Sequence, residues 1–316
     1  MRILVTPTSM QPGSDSPALE KLKKFTSEIV YNPWGRPLKE DELIPLLKDC
    51  DGYIAGLDNV TDKVINSCNR LKVISRYGAG VDRVDLKAAH EKSIRVTNTP
   101  GVNAEAVAEL TMGLVLSLAR KIPYLDFQTK SNKWVRSSGI ELCGKAMGIL
   151  GLGAIGKAVA AIAQGFSMKV IAYDPYLNKA YASEHGIAEK TFEELIREAD
   201  VISLHLPILP STRHMIDRKA LESMKPGVII VNASRGGIID EQAAYEFLKN
   251  GHIGGLGLDA FEVEPPQNIP LFELENVVVT PHTGAHTKEA TQQMANLSVE
   301  NLINVLSGLP CSYIMN

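Results

Sequence analysis

A chain of 316 residues, 45% of them hydrophobic and 22% charged, holds enough apolar material for two ordinary domains. A net charge of −3 with scattered lysines and arginines excludes a general nucleic-acid binder. Cys50, Cys68, Cys143 and Cys311 lie far apart and are expected to be reduced; the start lacks signal-peptide character, and no apolar run approaches the ~18 residues of a membrane span, so the cytoplasm is the expected location.

Short β-branched runs alternate with helical patterns from the start. Strands are predicted at residues 3–6, 28–31, 52–55, 73–76 and 95–97, with helices near 18–25, 39–48, 61–67 and 86–92. Strands separated by helices of this length form parallel sheets with crossover connections. The alternation breaks at Thr99-Pro100-Gly101, and a long helix pattern follows over 104–120, with Asn103 as its expected N-cap. That helix is apolar most of the way round, which suits a core position between domains or a subunit interface. A second series has strands at 147–150, 169–173, 201–205, 228–232, 256–259 and 277–280. Its helices are expected near 155–166, 192–198, 218–224 and 241–250, the second of them opened by a Thr191/Glu194 capping box. A last helix pattern, 287–306, lies outside the sheet series.

Gly151-Leu152-Gly153-Ala154-Ile155-Gly156 follows a predicted strand and opens a predicted helix. In that setting Gly151 makes the tight turn, Gly153 admits a pyrophosphate to the backbone, and Gly156 lets helix and strand pack closely. The helix start offers free N–H groups to the phosphates. Asp174 ends the next strand, where a carboxylate binds the adenosine ribose. A 2′-phosphate beside it would meet a like charge costing about 4 kcal/mol per pair at ~4 Å. Pro175 and Tyr176 bring no arginine, so NAD is the expected cofactor.

Ligands of open α/β sheets sit beyond the carboxyl ends of the strands. There the sequence places Arg235, His205, His282, Asp259, Glu262 and Glu264. Reduction of a 2-oxo acid needs a bidentate arginine for the carboxylate and a proton donor for the carbonyl oxygen, with a carboxylate to fix a histidine's tautomer. Spacing alone leaves His205 or His282, and Glu262 or Glu264, as alternatives.

The chain resembles the D-isomer-specific 2-hydroxyacid dehydrogenases, and among them the phosphoglycerate dehydrogenase branch. The resemblance is carried by Arg76-Tyr77-Gly78-Ala79-Gly80-Val81-Asp82, Asn98-Thr99-Pro100-Gly101, the 151–156 loop, Leu204-His205-Leu206-Pro207, Asn232-Ala233-Ser234-Arg235-Gly236-Gly237, Asp259-Ala260-Phe261 through Glu264-Pro265, and Pro281-His282-Thr283-Gly284. It implies a flavodoxin-like substrate domain (1–98 with 286–316) and an inserted Rossmann NAD-binding domain (99–285), closing about hinges near Thr99 and Gly284. It implies that Arg235, Glu264 and His282 are catalytic, with Glu264 paired to His282. Asp259 would hold the nicotinamide carboxamide. Gly151, Gly153, Ala154, Ile155, Gly156, Asp174, His205, Leu206, Pro207, Ala233, Ser234, Arg235, His282 and Gly284 would line the rest of the cofactor site. Tyr77, Gly78 and Ala79, with Arg235 and His282, would bind the substrate, and the 104–120 helix would serve a homodimer. The resemblance thus implies hydride transfer between NAD and a small 2-hydroxy acid. The same fold also serves dehydrogenases of phosphite-like oxyanions and NAD-sensing corepressors. Two departures stand out. Residues 55–60 carry Asp58 where that branch places a phosphate-gripping arginine, and no regulatory domain is expected after the last helix.

Overall fold

The computed structural model describes residues 1–14 and 16–316 and divides into two units, Met1–Asn103 with His286–Asn316, and Ala104–Ala285. Unit 1 runs β1 (Arg2–Val5), α1 (Pro17–Phe25), β2 (Glu28–Tyr31), α2 (Glu40–Leu47), β3 (Gly52–Ala55), α3 (Asp62–Ser67), β4 (Val73–Arg76), α4 (Leu86–Glu91) and β5 (Arg95–Thr97). Its parallel sheet has the order β2-β1-β3-β4-β5, so the winding reverses between β1 and β3. β3 and β4 are buried at every position, as expected of strands covered on both faces.

Unit 2 begins with α5 (Ala104–Ala119) and α6 (Ile122–Lys130). It continues through β6 (Ala146–Leu150), α7 (Ala154–Gly165), β7 (Lys169–Tyr173), α8 (Lys179–Glu184), β8 (Ala188–Glu189), α9 (Phe192–Glu198) and β9 (Val201–Leu204). α10 (Arg218–Ser223), β10 (Val228–Asn232), α11 (Glu241–Lys249), β11 (Ile253–Leu258), a 3-10 turn (Pro270–Glu273) and β12 (Val277–Val279) complete it. The seven strands run in the order β12-β11-β10-β9-β6-β7-β8, all parallel. Here the winding reverses between β6 and β9, and in such sheets the ligand crevice opens at that switch point.

Two expectations change. The crossing into unit 2 falls after Asn103, not at Thr99, because the preceding residues stay stitched to unit 1. The Thr99 N–H donates to the Gly78 carbonyl, and the Gly78 N–H donates to Thr99 Oγ1. Asn103 does not cap α5 with its side chain, since its buried Oδ1 has no hydrogen-bond partner among the described residues. α5 itself packs on α7, β10 and β11, with Ala108, Met112, Leu114 and Val115 in the unit 2 core.

The final helix, α12 (Lys288–Leu306), belongs to the unit 1 core. It is capped by Thr287 and packs on α1, β3 and β4, with Met294, Val299 and Leu302 buried. The Ser75 hydroxyl donates to the Ser298 carbonyl, and the Asn301 side chain donates to the Asn98 carbonyl. Beyond α12 the chain lines the free edge of β5. Met315 N–H donates to the Val96 carbonyl, and the Asn316 side chain accepts from Val96 N–H and donates to the Ile94 carbonyl.

Candidate active site

The glycine loop joins β6 to α7 at the switch point of the unit 2 sheet. Its chemistry follows from steric demand. A Cβ on Gly156 would stand 2.1 Å from the Gly151 carbonyl oxygen, so only glycine lets the first turn of α7 fold back over the loop. Gly153 is the N-cap of α7 and a Cβ there would meet nothing within 4 Å, so the Ala154 and Ile155 end of the helix stands open to a ligand along its backbone. At the end of β7, Asp174 accepts from Leu152 N–H and Tyr176 N–H, both at 2.8 Å. These bonds hold a carboxylate beside the loop, and the residues fit an adenosine diphosphate.

His205 follows β9 on the other side of the switch point, with buried Leu206 and exposed Pro207 after it. The residue as a whole keeps some exposure, but its ring Nδ1 is inaccessible and without a partner among the described residues. Its Nε2 lies 2.6 Å from Ser203 Oγ. Burial drives the imidazole down to about 3, so it is neutral at physiological pH and a poor proton donor. This sets His205 aside as a proton donor and leaves His282 of the two histidines that spacing left open.

The neighbouring strands β10, β11 and β12 deliver the other candidates to the same sheet edge. After β10, buried Asn232 brackets the loop. Its Oδ1 accepts from the Ser234 N–H and hydroxyl, and its Nδ2 donates to the Arg235 carbonyl at 2.7 Å. Ala233 and Ser234 are buried beneath it, and Arg235 Nη1 donates to the Ser234 carbonyl at 2.8 Å. After β11, Asp259 is 2% exposed, too little for solvent to satisfy its charge. One oxygen accepts from Thr280 Oγ1 and Thr283 N–H, the other from Gly284 N–H at 2.8 Å. Asp259 thus grips both flanks of His282, and its second oxygen keeps capacity for another donor.

His282 sits after β12 with φ of 50°, an uncommon conformation for a side chain larger than glycine. Its Nδ1 lies 2.8 Å and 3.0 Å from the two Glu264 oxygens. Nδ1–H donating to the carboxylate leaves Nε2 as the outward atom for proton transfer. Glu262, the alternative carboxylate, instead meets His214 Nε2 at 2.8 Å. Asn232 and Thr280 were not singled out from the sequence as site residues. Their signals, an amide at a strand end before Ser-Arg-Gly-Gly and a hydroxyl just before Pro-His, are visible only as loop chemistry.

In unit 1, Tyr77, Gly78 and Ala79 follow β4. Tyr77 N–H donates to the Ala55 carbonyl, and the Ala79 carbonyl accepts from the Asn98 side chain at 2.7 Å. The Tyr77 hydroxyl accepts from Ser9 Oγ and donates to the Thr291 carbonyl. Burial pushes this phenol up to about 12, so it stays neutral. At the unit 1 switch point, buried Asp58 accepts from the Thr6 hydroxyl, the Tyr53 hydroxyl at 2.8 Å and Leu38 N–H at 2.6 Å.

A parallel sheet with a glycine-rich loop at its switch point and a carboxylate one strand on defines a dinucleotide-binding protein of the Rossmann class. Residues 112–284 match the family described as D-isomer specific 2-hydroxyacid dehydrogenase, NAD binding domain. The chain belongs to the D-isomer specific 2-hydroxyacid dehydrogenases, and NAD is its cofactor. It is 44% identical over 304 residues to D-3-phosphoglycerate dehydrogenase of Methanocaldococcus jannaschii, covering 95% of this chain and 58% of that one. It is 43% identical over 275 residues to hydroxypyruvate reductase of Thermotoga maritima, covering 85% of this chain and 89% of that one. The TT0316 protein from Thermus thermophilus superposes with a TM-score of 0.88 at 36% identity, covering 100% of both chains. The chain spans little more than half the length of the phosphoglycerate dehydrogenases it matches.

Proposed function

We propose that the protein is an NAD-dependent oxidoreductase that interconverts a small 2-oxo acid and its 2-hydroxy acid. The observation that carries this reading is the Glu264–His282 pair, 2.8 Å apart at the sheet edge that also bears Arg235. NADH, when bound, supplies the hydride. Arg235 binds the substrate carboxylate through its guanidinium fork. His282, held through Nδ1 by Glu264, gives the proton on Nε2 to the carbonyl oxygen as that oxygen gains charge, and takes it back in the reverse direction. Asp259 keeps the 280–284 loop in place around the reacting histidine.

The test is loss of NADH absorbance across 2-oxo acids, with NADPH in parallel. A folded His282→Asn or Arg235→Ala variant is expected to lose at least about a hundredfold in kcat/KM. Normal turnover by either variant, or silence of the wild type across the panel despite NADH binding, overturns the reading.

The substrate is, on this reading, unphosphorylated. Asp58 places a buried carboxylate, already bonded to three donors, at the switch point of the unit 1 sheet. A distal phosphate finds no welcome beside it. Comparing each acid with its phosphorylated partner decides the point.

The working form is a homodimer in this proposal. Ile122, Phe127, Trp134, Val135 and Ile140 expose apolar surface on and after α6, an unusual amount for one stretch of a monomer. Light scattering at micromolar concentration checks it; a mass of one chain would reject it. A diffusible dinucleotide as hydride source suits the cytoplasm, which cell fractionation tests.

A further inference from the structure

Glu264 reaches His282 from an irregular loop, residues 261–264, so something must hold that loop. The Phe261 N–H donates to Glu264 Oε1 at 3.2 Å, a contact within the loop itself. Phe261 roots the near end of the loop in the unit 2 core, edge-on to Phe272 at 6.0 Å, and two hydrogen bonds from outside the loop act on Glu262. Its side chain meets His214 Nε2 at 2.8 Å, and His214 N–H in turn donates to the Gly237 carbonyl. Its N–H donates to Glu241 Oε1 at 2.8 Å.

The two fastenings are unequal. The His214 and Glu262 side chains keep 39% and 29% of their exposure, and a pair that wet holds weakly. Glu241 is half-buried and rides on a rigid frame. It is the first residue of α11, next to the cap Asp240, whose side chain accepts from Ala243 N–H at 2.9 Å and whose N–H donates to the Ile216 carbonyl. The charged groups that face Glu241 are Glu262 and Glu264 from the loop after β11 and His214 from the segment after β9. Burial raises the Glu241 carboxyl above its ordinary range, with Glu262 and Glu264 adding to that, while the Glu262 N–H lowers it. A carboxyl half-buried beside two others is best explained by the bond it accepts from Glu262 N–H.

We infer that Glu241 is a positioning residue: by accepting the Glu262 N–H from the start of α11, it holds Glu264 against His282. The inference rests on the proposed role of His282 as the acid. It deepens that role by naming what keeps the pair in register.

Two variants separate the bond from the charge. Glu241→Asp keeps the charge and the helix start but withdraws the oxygen by about 1.5 Å, breaking the bond. Glu241→Gln keeps an acceptor at full reach and removes the charge. Under saturating NADH with the best oxo acid, Glu241→Asp is expected to lose about tenfold or more in kcat, because a misplaced catalytic group costs rate before it costs binding. Its KM for NADH should stay within about twofold, and Glu241→Gln should keep kcat within about threefold of wild type. Wild-type turnover by Glu241→Asp, or a loss in Glu241→Gln as deep as in Glu241→Asp, overturns the inference. His282→Asn is measured alongside. If it is inactive while Glu241→Asp is unaffected, only the role of Glu241 falls; if it is fully active, the proposed acid itself falls.

Discussion

Burial sets the His205 imidazole near 3, against about 6.5 for a histidine in an unfolded chain. Between those values the unfolded chain binds a proton that the folded chain does not. Stability from this residue is therefore full above about pH 6.5 and falls as pH drops toward 3, by up to about 1.4 kcal/mol per unit. Urea midpoints at pH 7 and pH 5 should show a steeper loss for wild type than for His205→Asn. Equal losses would mean that the ring titrates freely in the folded state. Gly236 makes a second prediction at this scale. A Cβ there would stand 1.8 Å from the Phe261 carbonyl oxygen, against the loop that carries Glu264. Backbone cannot yield as a flexible side chain does, so Gly236→Ala should cost about 1–3 kcal/mol. It should also lower kcat; unchanged denaturation and turnover would contradict the close approach.

Four helices of unit 2, α8 to α11, begin on side-chain caps, from Asn178, Thr191, Asp217 and Asp240. α9 opens on a reciprocal box in which Thr191 Oγ1 accepts from Glu194 N–H and Glu194 accepts from Thr191 N–H. Thr191→Ala should lose about 0.5–2 kcal/mol in chemical denaturation with the site untouched. A loss of NADH affinity would reveal a longer reach than the geometry gives. This box, the glycine loop and most strands were legible in the sequence because each is local: a period, a spacing or a cap. What escaped was short or contextual. β8 has only two residues, α8 buries Ala182 alone and α6 buries none, so neither helix carries an apolar stripe, and α6 starts from Lys121 in a left-handed conformation that no propensity suggests. Asn103 looked like a cap because its type suits one, yet its buried Oδ1 takes no hydrogen bond from the helix start. The choice of Glu264 over Glu262 lay beyond spacing, since both stand near His282 in sequence terms, and came from the resemblance.

Across the whole molecule, each unit has its own core, with Leu4, Tyr53, Ile74 and Val96 in one and Leu150, Ile202, Ile230 and Leu256 in the other. NADH at about a hundredfold over its dissociation constant adds about 2.7 kcal/mol to whatever binds it. Scanning calorimetry with and without NADH should raise the transition carried by unit 2. A single transition moving as one would show that the two units unfold together.

The return of α12 to the unit 1 core also fixes an order of assembly. Residues 104–285 are contiguous, so the nucleotide-binding unit has all its strands once that stretch has left the ribosome. Residues 1–103, though made earlier, can cover one face of β3 and β4 themselves, but the other face waits until Val299 and Leu302 emerge and Ser298 meets Ser75. The part of the chain synthesised first is thus completed last, and it is the half most exposed to chaperones, and to aggregation, during synthesis.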